Sequence, residues 1–539
     1  MFSPGWREEA LAASKDGFDV IVIGGGISGC GIALDAAQRG LDVLVIEQGD
    51  IASGTSSRST KLVHGGLRYL KQLQFRITRL ACRERDRMLQ LDPHLVRPVQ
   101  FLYPAYEGDR TPGWKIDLGL WMYDKLAQGQ DRHHRLTAEE VTGLAPGLLT
   151  ENLDRALLYR DAMADDARLT LAVASTAAAF GARFLSRCRV TSAVRNREGR
   201  VGGVKARDLE SGKLRTIRAH VVINAAGVWV DELRARMGFE ERHLRPSRGS
   251  HIILRRERLP LEVAVAVPAP DDGRPVCLIP HPEGVLVGTT DLYHEGPLND
   301  PRPTAEEIAY LLRTIASVYP DNPPGESDIV GAFAGLRPIL DTHAEDPSEA
   351  SREEDIWEEE GLVSAAGGKL TTWRVMAEEA VDAALELLPP ERARRVSPSA
   401  TDGCSLTGLA PVTYAARLRE FFNMPEEVAS AMVRRLGALA WTAAAAARRE
   451  KELTPLAPGL DLCLAEARAW IRHGAVLHVE DLLLRRVRIG MWDPATARDV
   501  AWRLRMIFQR ELGWSFVRWS EELERFEEAL EAWTPEGIV

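Results

Sequence analysis

The chain has 539 residues, of which 45% are hydrophobic and 27% are charged, and its formal net charge at pH 7 is −10. At about 150 residues per domain, this length predicts two to four domains. The acidic balance excludes the broad basic surface on which nucleic-acid binding depends, so we expect no nucleic-acid partner.

Six cysteines are spread along the chain without a C-x-x-C pair. This spacing argues against a disulfide framework and a zinc site, so we expect no metal and a cytoplasmic protein. Residues 1–16 carry charged side chains and no continuous apolar run, which excludes a secretory signal. Nowhere does the chain reach the roughly 18 consecutive apolar residues that a membrane-spanning helix requires, so any membrane contact is expected to be peripheral.

A strand–helix–strand unit is the first predicted feature. Residues 19–24 (DVIVIG) predict a strand, and residues 27–39 predict a helix that ends at Gly40. Residues 43–46 predict a second strand, which leads into Glu47. This order is typical of the opening of a dinucleotide-binding domain.

Three glycines in this unit have the G-x-G-x-x-G spacing of a phosphate-binding turn. Gly24 permits a tight turn, Gly26 lets the backbone approach a pyrophosphate, and Gly29 lets the helix pack on the sheet. The helix N-terminus attracts the phosphate charge. Glu47 can accept both ribose hydroxyls and repels a 2′-phosphate, so FAD or NAD is expected rather than NADP.

Two later strand ends can approach the same cofactor. Residues 221–223 predict a buried strand that breaks at the small residues 224–227, although a packed turn without a ligand explains this pattern too. Residues 367–369 (GGK) open a helix predicted over 370–388. The positive end of that helix suits a flavin ring edge, where it would stabilise a reduced, anionic ring.

Between and after these segments the pattern changes twice. Residues 247–335 are rich in proline and predict short alternating strands at 251–254, 276–279 and 285–288. After residue 397 the chain is rich in Ala, Arg, Leu and Glu, which predicts a separate helical domain.

The segment 55–70 (TSSRSTKLVHGGLRYL) resembles the hallmark of the FAD-dependent glycerol-3-phosphate dehydrogenases of aerobic respiration, within the D-amino-acid oxidase and glycine oxidase superfamily of flavoproteins. The similarity continues in the same order through five further motifs, so it spans residues 19–376. These motifs are 165–169 (DDARL), 249–251 (GSH), 288–291 (GTTD), 335–338 (GLRP) and 367–372 (GGKLTT).

The resemblance implies an α/β fold with a Rossmann-like FAD-binding domain of discontinuous segments, a mixed-sheet substrate domain and an all-helical C-terminal domain. The expected borders are 17–95, 150–245 and 330–395 for the first domain, 96–149 and 246–329 for the second, and 398–539 for the third.

The resemblance also implies oxidation of sn-glycerol 3-phosphate to dihydroxyacetone phosphate, with the C2 hydride passing to N5 of a noncovalent FAD. The electrons would leave to quinone at the inner face of the cell membrane. An oxidase that reduces oxygen to peroxide, an amine or amino-acid oxidase, and a flavin-binding scaffold protein are alternatives. The oligomeric state stays open, with a homodimer as one alternative.

A phosphorylated substrate requires fixed cations, and the planar fork of arginine can bind two phosphate oxygens at once. Arg68 and Arg337, each beside glycine or proline in a motif, are the candidates, and a structural salt bridge is the alternative for both. Tyr69 is a candidate donor of a hydrogen bond to the substrate.

Hydride removal leaves a hydroxyl proton that requires a base, and histidine is suited to this near neutral pH. His251 is the first candidate and His64 the second, with a flavin contact as the other expectation for His64. Lys369 is expected to stabilise charge that develops on the flavin. The complete set of predicted FAD contacts is Gly24, Gly26, Ile27, Ser28, Gly29, Glu47, Ser56, Ser57, Lys61, Leu62, His64, Gly65, Ala226, Gly227, Gly368, Lys369, Leu370 and Thr371.

Two segments combine basic and apolar residues in the manner of an interfacial helix. Residues 67–88 contain seven basic side chains against two acidic ones, and residues 482–492 contain three arginines among apolar residues. An ordinary helix packed on the core, with its arginines paired to acids elsewhere, is the alternative for the first segment. The second segment is the weaker candidate.

Overall fold

The structure, a computed structural model, describes residues 2–67, 74–127, 132–344, 346–347, 354–411 and 413–534. The described strands are β1 (Phe18–Ile23), β2 (Val43–Ile46), β3 (Leu62–Val63), β4 (Val96–Tyr106), β5 (His134–Leu136), β6 (Leu153–Ala164), β7 (Arg183–Leu185), β8 (Cys188–Arg195), β9 (Val201–Asp208), β10 (Leu214–Asn224), β11 (Ser247–Leu254), β12 (Ala264–Pro268), β13 (Pro275–His281), β14 (Gly284–Gly288), β15 (Leu292–Tyr293), β16 (Ile329–Arg337), β17 (Asp355–Glu359) and β18 (Leu362–Ala366).

The described α-helices are α1 (Trp6–Ala13), α2 (Ile27–Gln38), α3 (Phe75–Leu91), α4 (Gly113–Leu126), α5 (Ala138–Leu144), α6 (Asp166–Ala179), α7 (Val230–Met237), α8 (Ala305–Val318), α9 (Trp373–Leu385), α10 (Pro390–Ala393), α11 (Tyr414–Phe422), α12 (Glu426–Leu436), α13 (Leu439–Ala445), α14 (Leu464–His473), α15 (Ile489–Trp492), α16 (Pro494–Leu512) and α17 (Phe516–Glu531). A π-helical segment, Asp481–Arg486, precedes α15. No helix of the described chain is long and apolar enough to cross a bilayer.

The first sheet is the predicted dinucleotide-binding sheet. Its main path runs β17-β18-β10-β1-β2-β7, and β1 pairs in parallel with both β2 and β10. Strand β2 and residues 20–23 of β1 are continuous apolar runs because a parallel sheet is covered on both faces. The carboxyl ends of β1, β2, β10 and β18 meet at one edge, which is where an open α/β sheet binds its ligand.

The second sheet has ten strands and is mixed. Strand β12 pairs in parallel with β4, while the other strand pairs of this sheet are antiparallel. It contains the three short strands predicted from the proline-rich region. It also takes β6 and β16, which lie in ranges that the sequence assigned to the FAD-binding domain. These strands join it because β6 pairs along the length of β4 and β16 pairs with β11.

The regular elements described after residue 413 are helices, as predicted. They do not form a separate core, because residues of α14, α16 and α17 share one apolar cluster with Phe101, Ile253 and Phe333 of the second sheet. The helical domain therefore packs directly on the sheet.

The two expected interfacial segments differ in the structure. Residues 482–492 are buried, with Arg486 and Arg488 at 1% and 4% exposure, so the expectation of a docking surface there is wrong. Burial occurs because these arginines pair with buried acids of the FAD-binding region. In the described part of 67–88, helix α3 buries Arg85 against Asp161 but leaves other arginines exposed.

Candidate functional site

A single cavity of about 1340 Å³ follows the carboxyl edge of the first sheet and extends to the second sheet. Its walls include the turn after β1, the end of β2, the loop 53–60, the turn after β10 and the segment 367–371. The two sheets thus enclose the place where the predicted cofactor segments converge.

The turn after β1 has the form of a pyrophosphate cradle. Gly24 has a φ of +118°, and a Cβ built there would lie 2.4 Å from the carbonyl oxygen of Ala225. A Cβ at Gly29 would lie 1.9 Å from the oxygen of Gly24, so α2 packs this closely only with glycine. The amide of Ile27, at the start of α2, donates to Ser56 Oγ at 2.9 Å. Gly26, Ile27 and Ser28, at the N-terminus of α2, line the cavity, where the helix end can attract the charge of a pyrophosphate.

Glu47 stands at the end of β2 and lines the cavity. Its carboxylate accepts hydrogen bonds from the amides of Gly25 and Gly49, each at 2.6 Å. Burial raises the pKa of this carboxyl, against the lowering effect of the two amides. The position fits the ribose of an adenosine held beside the glycine turn.

The opposite part of the cavity fits the reactive ring of a flavin. Gly367 and Gly368 have φ values of +75° and +71° and turn the chain from β18 into a 3₁₀ segment, Leu370–Thr372, followed by α9. The helix therefore starts three residues later than predicted. Lys369 lines the cavity beside this helix end.

Arg337 enters the cavity from the second sheet, at the end of β16. Its Nη1 donates to Asp291 Oδ1 and its Nη2 to Thr289 Oγ1, each at 3.1 Å. Gly249 on β11 leaves room for the guanidinium, since a Cβ there would lie 2.3 Å from Nη2. Three motifs of the sequence thus meet at one fixed cation.

His251 lies behind the cavity wall rather than in it. Its ring is 1% exposed and stacks on Phe333 at 4.8 Å between centroids. The Nε2 atom is 2.9 Å from Oγ1 of Thr60, and Thr60 lines the cavity. Burial, followed by the charges of Arg337 and Lys61, lowers the pKa of His251 to about 3. The neutral ring reaches the cavity through the threonine hydroxyl.

Most predicted site residues line this one cavity. Those that line it are Gly24, Gly26, Ile27, Ser28, Glu47, Ser56, Leu62, His64, Ala226, Gly227, Arg337, Gly368, Lys369, Leu370 and Thr371. Those that lie behind the lining are Gly29, Ser57, Lys61, Gly65 and His251. Arg68 and Tyr69 fall outside the described residues.

Several lining residues were not predicted. Thr60 and Thr289 belong to motifs quoted from the sequence, so attention to every polar residue of those motifs would have found them. The cavity is also lined by Lys115 of α4, Arg110 in the loop before α4 and Arg274 just before β13, and no motif marks them. No group of His, Cys, Asp and Glu in the described ranges has the arrangement of a metal site.

Comparison with known proteins agrees with this architecture. A family model described as FAD dependent oxidoreductase matches residues 19–382, and one described as the C-terminal domain of alpha-glycerophosphate oxidase matches residues 399–518. Glycerol-3-phosphate dehydrogenase 2 of Mycobacterium tuberculosis is 38% identical, over 98% of this chain and 92% of that protein. Aerobic glycerol-3-phosphate dehydrogenase of Staphylococcus haemolyticus is 39% identical, over 69% of this chain and 68% of that protein.

A solved structure is similar over its whole length. The glycerol-3-phosphate dehydrogenase of Bacillus halodurans, complexed with FAD, has a TM-score of 0.82 at 29% identity and is covered to 100%, as is this chain. Fold class, cofactor and family resemblance are thereby confirmed. The chain belongs to the FAD-dependent glycerol-3-phosphate dehydrogenase family, and FAD is its cofactor.

Proposed function

We propose that the protein oxidises sn-glycerol 3-phosphate to dihydroxyacetone phosphate and that its noncovalent FAD passes the electrons to a membrane quinone. The observation that carries the proposal is that Arg337, Lys369 and Thr60 line one cavity with the dinucleotide cradle. Bound FAD supplies, at N5, the acceptor for the hydride from C2 of the alcohol. The chain's own residues bind the phosphate, orient C2 and remove the hydroxyl proton.

The phosphate is bound by Arg337. A substrate of charge near −2 needs a fixed cation, and Asp291 and Thr289 hold the guanidinium plane in place. Arg68 and Tyr69 stay in the proposal as a second cation and a hydrogen-bond donor. Binding at the phosphate end holds C2 near the ring end of the cavity, which favours reaction by orientation.

The proton leaves through Thr60. The threonine hydroxyl accepts the proton of the C2 hydroxyl and gives its own to His251 Nε2, 2.9 Å away. The C2–O bond becomes a carbonyl as the hydride leaves, so one hydride and one proton depart together. Lys369 is the cation that stabilises charge beside the segment 367–371.

Anaerobic bleaching of the flavin by sn-glycerol 3-phosphate tests the substrate, with glycerol and an amino acid as controls. We expect the phosphorylated alcohol alone to bleach it. A flavin that is not bleached by this substrate would overturn the proposed reaction.

Acid precipitation should release all flavin into solution, and flavin that stays with the pellet would show a covalent bond.

Support for a membrane acceptor comes from the exposed face of α4. Trp114, Leu118 and Trp121 are each about half exposed, at 52%, 49% and 53%. Their spacing of four and three residues places them on one face of the helix. Lys115 and Lys125 lie over the two tryptophan rings, at 5.6 and 5.7 Å from the centroids. Tryptophan with flanking lysine is the composition of a helix that lies in the interface of an anionic bilayer.

The same helix forms part of the cavity wall. Ile116, Gly119 and Met122 of α4 line the cavity on the other side of the helix. Cys82 of α3 packs in one small apolar cluster with Tyr123 of α4, and the neighbouring α3 exposes further arginines. A bilayer on this face would lie one helix away from the cavity, where a lipid-dissolved quinone has a short path to the flavin.

Cosedimentation with vesicles of phosphatidylcholine and phosphatidylglycerol tests this face. We expect a triple variant, Trp114→Ser, Leu118→Ser and Trp121→Ser, to lose vesicle binding and activity with a long-chain quinone while it keeps activity with a soluble dye. Trp502→Ser with Met506→Ser on α16 is the matched control, because these side chains are also exposed, at 62% and 59%. Undiminished vesicle binding by the triple variant would exclude the α4 face.

Oxygen is the second candidate acceptor, because the family model that matches residues 399–518 is described as the C-terminal domain of an oxidase. Reoxidation of the bleached flavin separates the two acceptors. Fast reoxidation by a quinone analogue and slow reoxidation by air support a dehydrogenase, whereas rapid peroxide release without lipid supports an oxidase. Location at the inner face of the membrane and a homodimer remain predictions.

A further inference from the structure

A buried carboxylate connects the helical domain with the loop that lines the cofactor cavity. Asp166, the first residue of α6, is fully buried. Its Oδ2 accepts from the amide and the hydroxyl of Ser59 at 2.9 and 2.8 Å, and its Oδ1 accepts from Lys61 Nζ at 2.7 Å. The Ala167 amide also donates to Oδ1, at 2.9 Å, and the fifth donor is Arg488 of the helical domain, with Nη2 3.3 Å from Oδ1.

Arg488 also holds the loop directly. Its Nη2 donates to the carbonyl oxygen of Ser57 at 2.8 Å, and its Nε lies 3.3 Å from Asp165 Oδ2. The residue is the turn between the π-helical segment and α15, and its φ of +65° is unusual for a residue with a side chain. Within its own domain the guanidinium contacts the Leu484 carbonyl oxygen, the Met491 sulfur and the Trp533 ring.

The loop that Arg488 holds serves both ends of the cavity. Ser56 accepts from the amide of Ile27 at the start of α2, where the pyrophosphate is expected. Thr60 meets His251 where the reaction is expected. Ser59, between them, lines the cavity and is bonded to Asp166. The position of this loop therefore affects the cofactor and the reacting end together.

A second ionic contact fixes the beginning of the same region. Asp50, three residues after Glu47, is 1% exposed and pairs with Arg485 and Arg486 of the π-helical segment. Arg486 Nη2 donates to Asp50 Oδ1 at 2.8 Å. Buried charges of this kind need their partners, because an unpaired charge in the interior is strongly unfavourable. The helical domain thus holds the chain between Glu47 and Lys61 at two points.

We propose that the helical C-terminal domain completes the FAD site, with Arg488 as a positioning residue that fixes the loop 55–61 against the cofactor. The domain then acts on cofactor binding without contacting the substrate phosphate. This inference depends on FAD as the cofactor and not on the identity of the electron acceptor.

The test compares holoenzymes by FAD dissociation constant after reconstitution, by flavin absorption and fluorescence, and by kcat and KM. We expect Arg488→Met to weaken FAD binding about tenfold or more, the scale of a lost hydrogen bond to a charged group. Flavin fluorescence should change, kcat should fall, and KM for the substrate should change little. Arg488→Lys keeps the charge beside Asp166 but cannot reach Ser57 and Asp165 together, so a folded protein with an intermediate loss is expected.

The matched control is Arg435→Met. Arg435 is also a largely buried arginine of the helical domain, but its partners, Asp461 and Glu466, belong to that domain. This variant should lose thermal stability while its FAD affinity and flavin spectrum stay those of the wild type. Two results overturn the proposal: wild-type FAD affinity and spectra in both Arg488 variants, or an equal loss of FAD in Arg435→Met, which would indicate general destabilisation.

Discussion

Thr60 and His251 are 191 residues apart in the chain, yet the Oγ1 of the threonine and the Nε2 of the histidine lie 2.9 Å apart. Only the threonine lines the cavity. Thr60→Val keeps the shape and removes the hydroxyl, so we expect flavin reduction to slow by about 10²-fold, the scale of general-base catalysis, with FAD still bound. Stopped-flow reduction checks this, with Thr111→Val in the same cavity as a control. If flavin reduction is slow in His251→Ala but proceeds at the wild-type rate in Thr60→Val, the threonine hydroxyl does not pass the proton to the histidine.

The lowered pKa of His251 makes a separate prediction. With a pKa of about 3 in the folded protein, the ring is neutral in the free enzyme across roughly pH 5 to 9. The pH profile of kcat/KM, which reports the free enzyme, should therefore contain no titration of His251 near neutral pH. Ionisation of the substrate's phosphate contributes the same pH dependence to the profile of every variant, so it cancels in the comparison. An acid limb present in wild type and absent in His251→Gln would contradict this expectation.

A phosphorylated substrate should be oxidised less efficiently when residue 337 is lysine instead of arginine. Arg337→Lys keeps a positive charge beside the buried Asp291 but removes the fork, so kcat/KM should fall roughly 10- to 100-fold, as expected for one lost charged hydrogen bond of about 1.5–3 kcal/mol. Steady-state kinetics and a thermal melt measure both effects. Arg419→Lys, on the exposed surface of α11, is the control. Unchanged kinetics in the variant would remove Arg337 from the phosphate site.

The elements that the sequence predicted best are those with local causes. The unit β1–α2–β2 follows from an apolar run, three spaced glycines and a helix end at Gly40, each within a few residues of the next. The meeting of Thr60 with His251 has no such local signal, because it depends on a contact between the loop 55–61 and β16, which in turn pairs with β11.

The predicted interfacial role of residues 482–492 is wrong for a physical reason. Alternating arginine and apolar residues have the same period whether the arginines face lipid headgroups or buried acids. The partners that decide between these, Asp50 and Asp166, lie more than 300 residues earlier in the chain. Only the fold shows that this basic segment contacts the cofactor loop.

The cradle after β1 should tolerate no side chain. A Cβ at Gly24 would lie 2.4 Å from a backbone oxygen, so Gly24→Ala should yield protein without FAD or with greatly reduced affinity. Gly40→Ala is the matched control, because Gly40 also has positive φ but has open space around its Cβ position. That variant should lose only about 1 kcal/mol of stability and keep its FAD. Flavin content after gel filtration is the measurement, and full flavin content in Gly24→Ala would contradict the cradle.

A buried histidine joins the helical domain to the hairpin between β9 and β10. His478 Nδ1 is 2.9 Å from Glu522 on α17, and its Nε2 is 3.1 Å from Glu210 in the hairpin. Burial lowers the pKa of His478, but the bonds to these carboxylates outweigh it, and the pKa is raised overall. Asp481 raises it further and Arg187 opposes the increase. The charged ring is therefore favoured in the folded protein.

A raised histidine pKa stabilises the fold fully below the ordinary value of about 6.5, and that stability is lost as pH rises through the raised pKa. The thermal midpoint of the wild type should therefore fall between about pH 6 and pH 9 by more than that of His478→Gln, which has no titrating ring there. His343→Gln, at an exposed histidine, should keep the wild-type dependence. Differential scanning calorimetry across this range measures the three proteins. If His478→Gln keeps the same pH dependence as wild type, this contact does not hold the domain through the charged ring, and the ionic contacts of Asp50 and Asp166 must account for the docking.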